Sequence, residues 1–274
     1  MRALSARARD HLAAWDGTAV TPRDAATVVV TRERGDGLEV LLLRRQKSMA
    51  FAAGMHVFPG GSLQAADRDP IPWVGPAAEQ WARRWSCDAE LAHALVVAAV
   101  RETFEETGIL MAGPDADSVL GVCAGEEWTA ARRELEAGDL TLARFLDSRG
   151  LVLRADLLGA WAHWITPEFE PRRFDTRFFV AVLPDDGTLH SHGTEADASY
   201  WVDIDTAAQA GGRGELAMMA PTLHNLRELA AAGRAGVSNV LSGSAERCIP
   251  VVQPRVVDVD GELWMTSIED SVRP

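Results

Sequence analysis

Arg101-Glu102-Thr103-Phe104-Glu105-Glu106-Thr107-Gly108-Ile109 is the stretch on which the reading of the chain turns. Leu91, Leu95, Val96, Val100 and Phe104 recur at helical spacing through residues 88–107, and Gly108 supplies a stop. On that helix positions 102, 105 and 106 are related by i, i+3 and i+4, so their carboxylates project from one face. Such a group repels itself. It is either a solvated acidic face or a holder of a hard divalent cation, because Mg²⁺ and Mn²⁺ take carboxylate oxygens and keep waters that can act as nucleophiles. Arg101, one turn before Glu105, is placed to orient that carboxylate. One Arg, three Glu and one Gly at fixed spacing, each at about 7% frequency, coincide by chance with probability ~2 × 10⁻⁶ per position, so the pattern carries information.

Outward from the helix, residues 25–33 and 38–45 are β-branched and apolar runs around Arg34-Gly35-Asp36-Gly37, which predicts a hairpin. Phe58-Pro59-Gly60-Gly61 must be a loop, since proline and paired glycines stop both regular structures. The pattern turns helical over 76–86, and 126–148 reads as one or two amphipathic helices. Strands are expected at 157–165, 176–183 and 199–202, a helix opened by Pro221 over 221–232, and a hairpin around Asp260-Gly261 within 249–266. The first residues read as a leading helix. Mixed strands and helices without a linker or repeat favour one α/β (α+β) domain over residues 1–274.

Composition narrows the function. With 27 Lys+Arg against 40 Asp+Glu the net charge is −13, which argues against a grip on nucleic-acid polymers. Lys47 is the one lysine among those 27 basic residues, a skew that looks like GC-rich coding. Cys87, Cys123 and Cys248 are too few and too scattered for a disulfide framework or a zinc pattern, so the cytoplasm is expected. No apolar run is long enough for a membrane span, and the N-terminus lacks the features of a signal peptide. Serine-hydrolase and P-loop motifs are absent.

The carboxylate helix, preceded by Phe58-Pro59-Gly60-Gly61, resembles the Nudix box, G-x5-E-x7-R-E-U-x-E-E-x-G-U with U bulky and apolar. The spacing departs from it: Gly61 precedes Arg101 by 40 positions where the box has fourteen. Eight residues before Arg101 stands His93 in place of glutamate, and Thr103 occupies the first U position. The upstream acid is left unassigned, and residues 62–92 read as a helical insertion inside the box, with 234–274 as a C-terminal extension. A split box of this kind is similar to the insertion-bearing branch that includes the mammalian peroxisomal coenzyme A diphosphatase. The segments around LLLRRQKSMAFAAGMHVFPGG and WITPEFEPRRFDTRFFVAVLP extend the resemblance from about residue 25 to about 233.

The resemblance implies an α/β/α sandwich with a mixed sheet and metal-dependent hydrolysis of a nucleoside diphosphate linked to another group. Mg²⁺ or Mn²⁺ is the implied cofactor. Glu105 and Glu106 are the implied principal ligands, with Glu102 a further ligand or the general base, Arg101 beside them, and Glu195 a candidate downstream ligand. The Gly60 carbonyl is a further candidate ligand, and Gly61 lets backbone approach metal or phosphate. Arg44 and Arg45 with Lys47 form one basic patch and Arg172, Arg173 and Arg177 another, either able to steer phosphates. The coenzyme A signature is only partly present: Arg44, Gly54 and the loop keep their spacing, whereas Ala50 replaces its second arginine and Leu42 its threonine. The expected partner is a small nucleotide conjugate such as coenzyme A or its esters, with no nucleic-acid polymer, no membrane, and a homodimer left open. A noncatalytic nucleotide-sensing module on the same scaffold is the alternative reading, and an isopentenyl-diphosphate-type isomerase a weaker third.

Overall fold

Val28, Val29 and Val30 bury on both sides of one strand: Val28 and Val30 join the core under the carboxylate helix, and Val29 joins a second core on the opposite face. They belong to a computed structural model that describes residues 2–35, 37–46, 53–183, 196–233, 238–245 and 249–266. The chain begins with β1 (Arg2–Ala3) and α1 (Ala6–Ala14), then β2 (Arg23–Arg34), β3 (Gly37–Arg45), β4 (His56–Val57), β5 (Gly60–Ser62) and β6 (Trp73–Val74). The helices α2 (Ala78–Trp85) and α3 (Ala89–Thr107) lead to β7 (Ile109–Leu110), β8 (Ala112–Gly113) and β9 (Gly121–Val122). Next come α4 (Glu126–Ala137), α5 (Leu142–Ser148), β10 (Val152–Arg154), β11 (Leu158–Ile165), β12 (Phe174–Leu183) and β13 (Ala196–Asp203). Three helices, α6 (Ile204–Arg213), α7 (Ala220–Gly233) and α8 (Ser238–Ala245), precede β14 (Val251–Val252), β15 (Arg255–Val259) and β16 (Glu262–Thr266).

The main sheet has eight strands, in the order β13-β3-β2-β12-β11-β14, with β4 on β3 and β5 on β2. It is mixed: β2 runs parallel to β12 and antiparallel to β3. The helices α2 and α3 cover one face, and α6, α7 and α8 the other. This is an α/β/α sandwich, and it explains why β2 reads as a continuous apolar run where a half-exposed strand would alternate.

The helix α3 is apolar nearly all round because it lies between the sheet and α4 and α5. The Asp88 carboxylate caps its start by accepting from Leu91 N–H at 2.7 Å, and Gly108 ends it at φ 77°. The expected hairpins and helices all form, and 126–148 resolves into two helices. The helices α6 and α8 lack a sequence signal, since Gly211 and Gly212 lower the helix propensity of one and Gly243 that of the other. Asp203 compensates in α6 by accepting from Thr206 N–H at 2.8 Å.

The tryptophans of α2 pack against the main sheet. Trp81 and Trp85 of α2 lie against Phe179 of β12, with ring centroids 5.5 and 5.3 Å apart. Trp81 is fully buried. Trp81→Ala is expected to cost about 3–5 kcal/mol in urea denaturation; a loss below about 1 kcal/mol is the outcome against this packing.

Candidate active site

Arg101 leaves α3 into an almost closed space, 2% exposed. Its Nε and Nη2 donate to the two carboxylate oxygens of Asp67 at 2.8 and 3.0 Å. Its Nη1 donates to Glu102 at 2.9 Å and to both oxygens of Glu105 at 3.2 Å, and Nη2 also reaches the Ser62 carbonyl at 3.2 Å. One guanidinium thus ties the loop after β5 to the helix. Burial pulls its pKa down, but Asp67, Glu102 and Glu105 outweigh that and raise it.

Glu105 and Glu106 are buried, which removes the reading of a solvated acidic face. Glu106 accepts from the Gly60 backbone N–H at 3.0 Å. The glycine pair is dictated by sterics: a Cβ on Gly60 would lie 2.4 Å from the Ala26 carbonyl oxygen, and one on Gly61 would lie 2.4 Å from Glu102 Oε1. Backbone therefore passes directly over the carboxylate cluster, but Gly60 and Gly61 do so within the short strand β5 and not in the expected loop, because both pair with β2. Thr103, polar where the box has an apolar residue, is accommodated because its hydroxyl donates to the Ala99 carbonyl at 2.7 Å.

Two contributors escape sequence reasoning. Asp67 is 1% exposed, and its carboxylate also accepts from Gln64 N–H at 2.7 Å. It stands six residues after Gly61, the spacing of the box acid counted forward from the glycine, so the extra chain lies between Asp67 and Arg101. Counting backward from Arg101 reaches His93, whose ring stacks on Trp73 at 4.9 Å and contacts the Asp69 carbonyl, away from the cluster. Arg132 of α4 is the second: its Nε and Nη2 donate to the Glu105 carbonyl at 3.0 and 2.8 Å, holding the last turn of α3.

A cleft of about 1240 Å³ opens beside this cluster, lined near it by Gly60, Gly61 and Glu102. Its floor is the face of the sheet carrying Thr27, Thr176 and Phe178, and its far walls include Met218 and Met265. Arg45 lines the cleft. Arg44 does not figure among the lining residues and pairs with Asp197 at 2.7 Å. Arg173 is buried and donates to the Thr166 and Val20 carbonyls, while its neighbour Arg172 lines the cleft. Arg177 is likewise buried, bound to Asp24 and Asp175. Glu195 and Lys47 lie outside the described residues. No helix among the described residues is long and apolar enough to cross a membrane.

The fold and the cluster together are those of a Nudix domain, and comparison with known proteins agrees. A family model described as the NUDT19 Nudix domain matches residues 82–229. A solved Nudix hydrolase from Alicyclobacillus acidocaldarius is 31% identical with a TM-score of 0.66, covering 81% of this chain and 96% of that one. The acyl-coenzyme A diphosphatase NUDT19 of Homo sapiens is 28% identical, over 71% of this chain and 61% of the human protein. Its Gallus gallus counterpart is 28% identical over 53% of this chain and 48% of its own length. The chain thus spans between about half and three fifths of these curated relatives. It belongs to the Nudix family.

Burial pushes the Glu105 carboxyl up to about 7, with Arg101 opposing and Glu102 reinforcing the shift. The folded protein therefore holds this proton more tightly than the unfolded chain, where the ordinary value is 4.5. Stability from this group is full below pH 4.5 and is lost as pH rises toward 7. In metal-free protein, Glu105→Gln is expected to raise the Tm at pH 8 and to flatten the fall in Tm between pH 6 and 8. A variant that melts lower than wild type at pH 8 contradicts this. Asp67→Ala, which takes from the buried Arg101 guanidinium the acceptor of Nε and one acceptor of Nη2, is expected to cost about 3–5 kcal/mol in chemical denaturation.

Proposed function

We propose that this protein is a hydrolase, dependent on Mg²⁺ or Mn²⁺, that cleaves the diphosphate linkage of a nucleoside diphosphate joined to another group. Coenzyme A and its esters are the first substrates to test. The observation that carries the reading is the gathering of carboxylates at the cleft end: Asp67, Glu102 and Glu105 all bind the one Arg101 guanidinium, and Glu106, on the same helix face, is held by the Gly60 N–H. Buried charge of one sign calls for a counter-ion.

The donor set is all oxygen, which suits Mg²⁺ or Mn²⁺. Among the described residues no group of three or more His, Cys, Asp or Glu side chains is arranged to hold a metal ion, as a closed cage would be. A closed cage is not required, since Mg²⁺ is commonly held by one or two carboxylates together with waters and substrate phosphates. Glu105 and Glu106 would hold the ion, with Glu102, the Gly60 carbonyl and Glu195 as further candidates. When bound, it neutralises phosphoryl oxygens and activates water.

The chain's own residues divide the remaining work. Of the three helix glutamates only Glu102 lines the cleft, which supports it as the group that would take the proton from the attacking water. Arg101 fixes the Glu102 and Glu105 carboxylates, and the Gly60 N–H fixes Glu106. Arg45 and Gly61 are the substrate-side candidates, because both line the cleft. The coenzyme A reading is supported by the likeness to the human and chicken acyl-coenzyme A diphosphatases and by the cleft's apolar wall at Phe58, Phe178 and Met218. The cytoplasm remains the expected compartment on the free thiols of Cys87 and Cys123.

A panel of coenzyme A, acyl-coenzyme A, ADP-ribose and dinucleoside polyphosphates, assayed with Mg²⁺ and Mn²⁺, is expected to show diphosphate cleavage that chelation abolishes. Glu106→Gln is expected to lower kcat at least about 100-fold. Equal turnover by this variant removes the assignment. Tight nucleotide binding without product over hours favours the sensing module.

A further inference from the structure

The cleft carries a second charged region, away from the glutamates and opposite in sign. Its described lining includes five arginines and three carboxylates in a chain whose net charge is −13. Each of those carboxylates already has a partner: Asp24 pairs with Arg177, Glu102 with Arg101, and Glu170 contacts the His11 ring. Arg68 is matched by Glu90. Arg7, Arg23 and Arg172 also line the cleft and are exposed, yet none makes a side-chain hydrogen bond or ion pair with any described residue.

The topology brings these three to one end of the cleft. Arg23 opens β2 opposite Phe174 of β12, and its backbone N–H donates to the Arg173 carbonyl, so it is beside the turn that carries Arg172. Arg7 lies one turn before His11 on α1, and His11 Nδ1 meets Glu170 at 2.7 Å, which leans α1 over the same turn. The register also sets a distance. Gly60 pairs with Thr27, and Arg23 stands four residues further along the same strand. At ~3.3 Å per residue that is roughly 13 Å of backbone, the span of a ribose plus an extended arginine side chain.

We propose that Arg7, Arg23 and Arg172 form a phosphate subsite for a phosphomonoester borne by the substrate outside the diphosphate that is cleaved. The proposal rests on the hydrolase reading for its orientation, with the diphosphate at Gly60 and Glu102. Guanidinium groups suit this role because their planar forks match phosphate oxygens bidentately and are always charged. Carboxylates engaged with their own partners do not contact these arginines, and a concave wall strengthens the arginines' field at a bound anion. Arg7 and Arg23 lie outside residues 82–229, so the N-terminal segment adds a selectivity element to the matched Nudix domain.

Calorimetry of the full chain with adenosine 3′,5′-bisphosphate and adenosine 5′-monophosphate tests the subsite independently of turnover. Wild type is expected to bind the bisphosphate at least about tenfold more tightly, a preference that weakens with added salt. The Arg23→Gln/Arg172→Gln variant is expected to bring the two affinities within about twofold, and Arg7→Gln to reduce the preference about threefold. Arg172→Gln alone should reduce it in the same direction, and Arg133→Gln, on the exposed side of α4, should keep it in full. Equal affinities in wild type, no binding of the bisphosphate, or full preference in the double variant overturns the subsite. Selective, arginine-dependent binding without hydrolysis of any diphosphate substrate overturns the hydrolase reading and leaves the subsite standing.

Discussion

The Arg101 guanidinium is the interaction on which the site's geometry depends. It reaches Asp67 on the loop after β5, and Glu102 and Glu105 on its own helix, in a space nearly closed to water. Burying that charge without partners would cost several kcal/mol, so the loop and the helix must meet for either to be satisfied. Because Asp67 takes both Nε and Nη2, the remaining nitrogen is directed at the glutamates. One side chain thereby fixes the helix carboxylates against the glycine pair and leaves the cluster with more negative charge than it neutralises.

The remaining constraints follow from bringing backbone against that cluster. Gly60 and Gly61 have no room for a Cβ, since β2 stands on one side and Glu102 on the other. The chain between Asp67 and Arg101 does not disturb this arrangement because α2 packs its tryptophans on Phe179 and its C-terminal end leads directly into α3. Arg132 then holds the far end of the helix through the Glu105 carbonyl. The two faces of the sheet divide the labour: one supports the carboxylate helix, and the other, left open at the start of β2 and β12, forms the cleft floor.

Much of this was legible in the residues because it is local and periodic. The spacing of Leu91, Leu95 and Phe104 announces α3, and the i, i+3, i+4 relation of Glu102, Glu105 and Glu106 announces a shared face. Asp67 is invisible to a count backward from Arg101, which lands on His93, and its signal is the distance of six residues from Gly61. Arg44, Arg173 and Arg172 look alike in sequence, and their fates differ for reasons no neighbour in the chain reveals. Arg44 meets Asp197 from another strand, Arg173 meets carbonyls 7 and 153 residues away, and Arg172 meets the cleft.

By itself the sequence determined the elements, the carboxylate face and the family, since hydrophobic period, caps and fixed motif spacing are properties of short stretches. Only the tertiary structure decided that this face is buried, that Asp67 closes onto Arg101 across 34 residues, and that α1 and the terminal strand β16 contribute to the wall of the same cleft. Those outcomes depend on which surfaces pack together and on which charges find partners there, and neither is written in the order of residues along a single element.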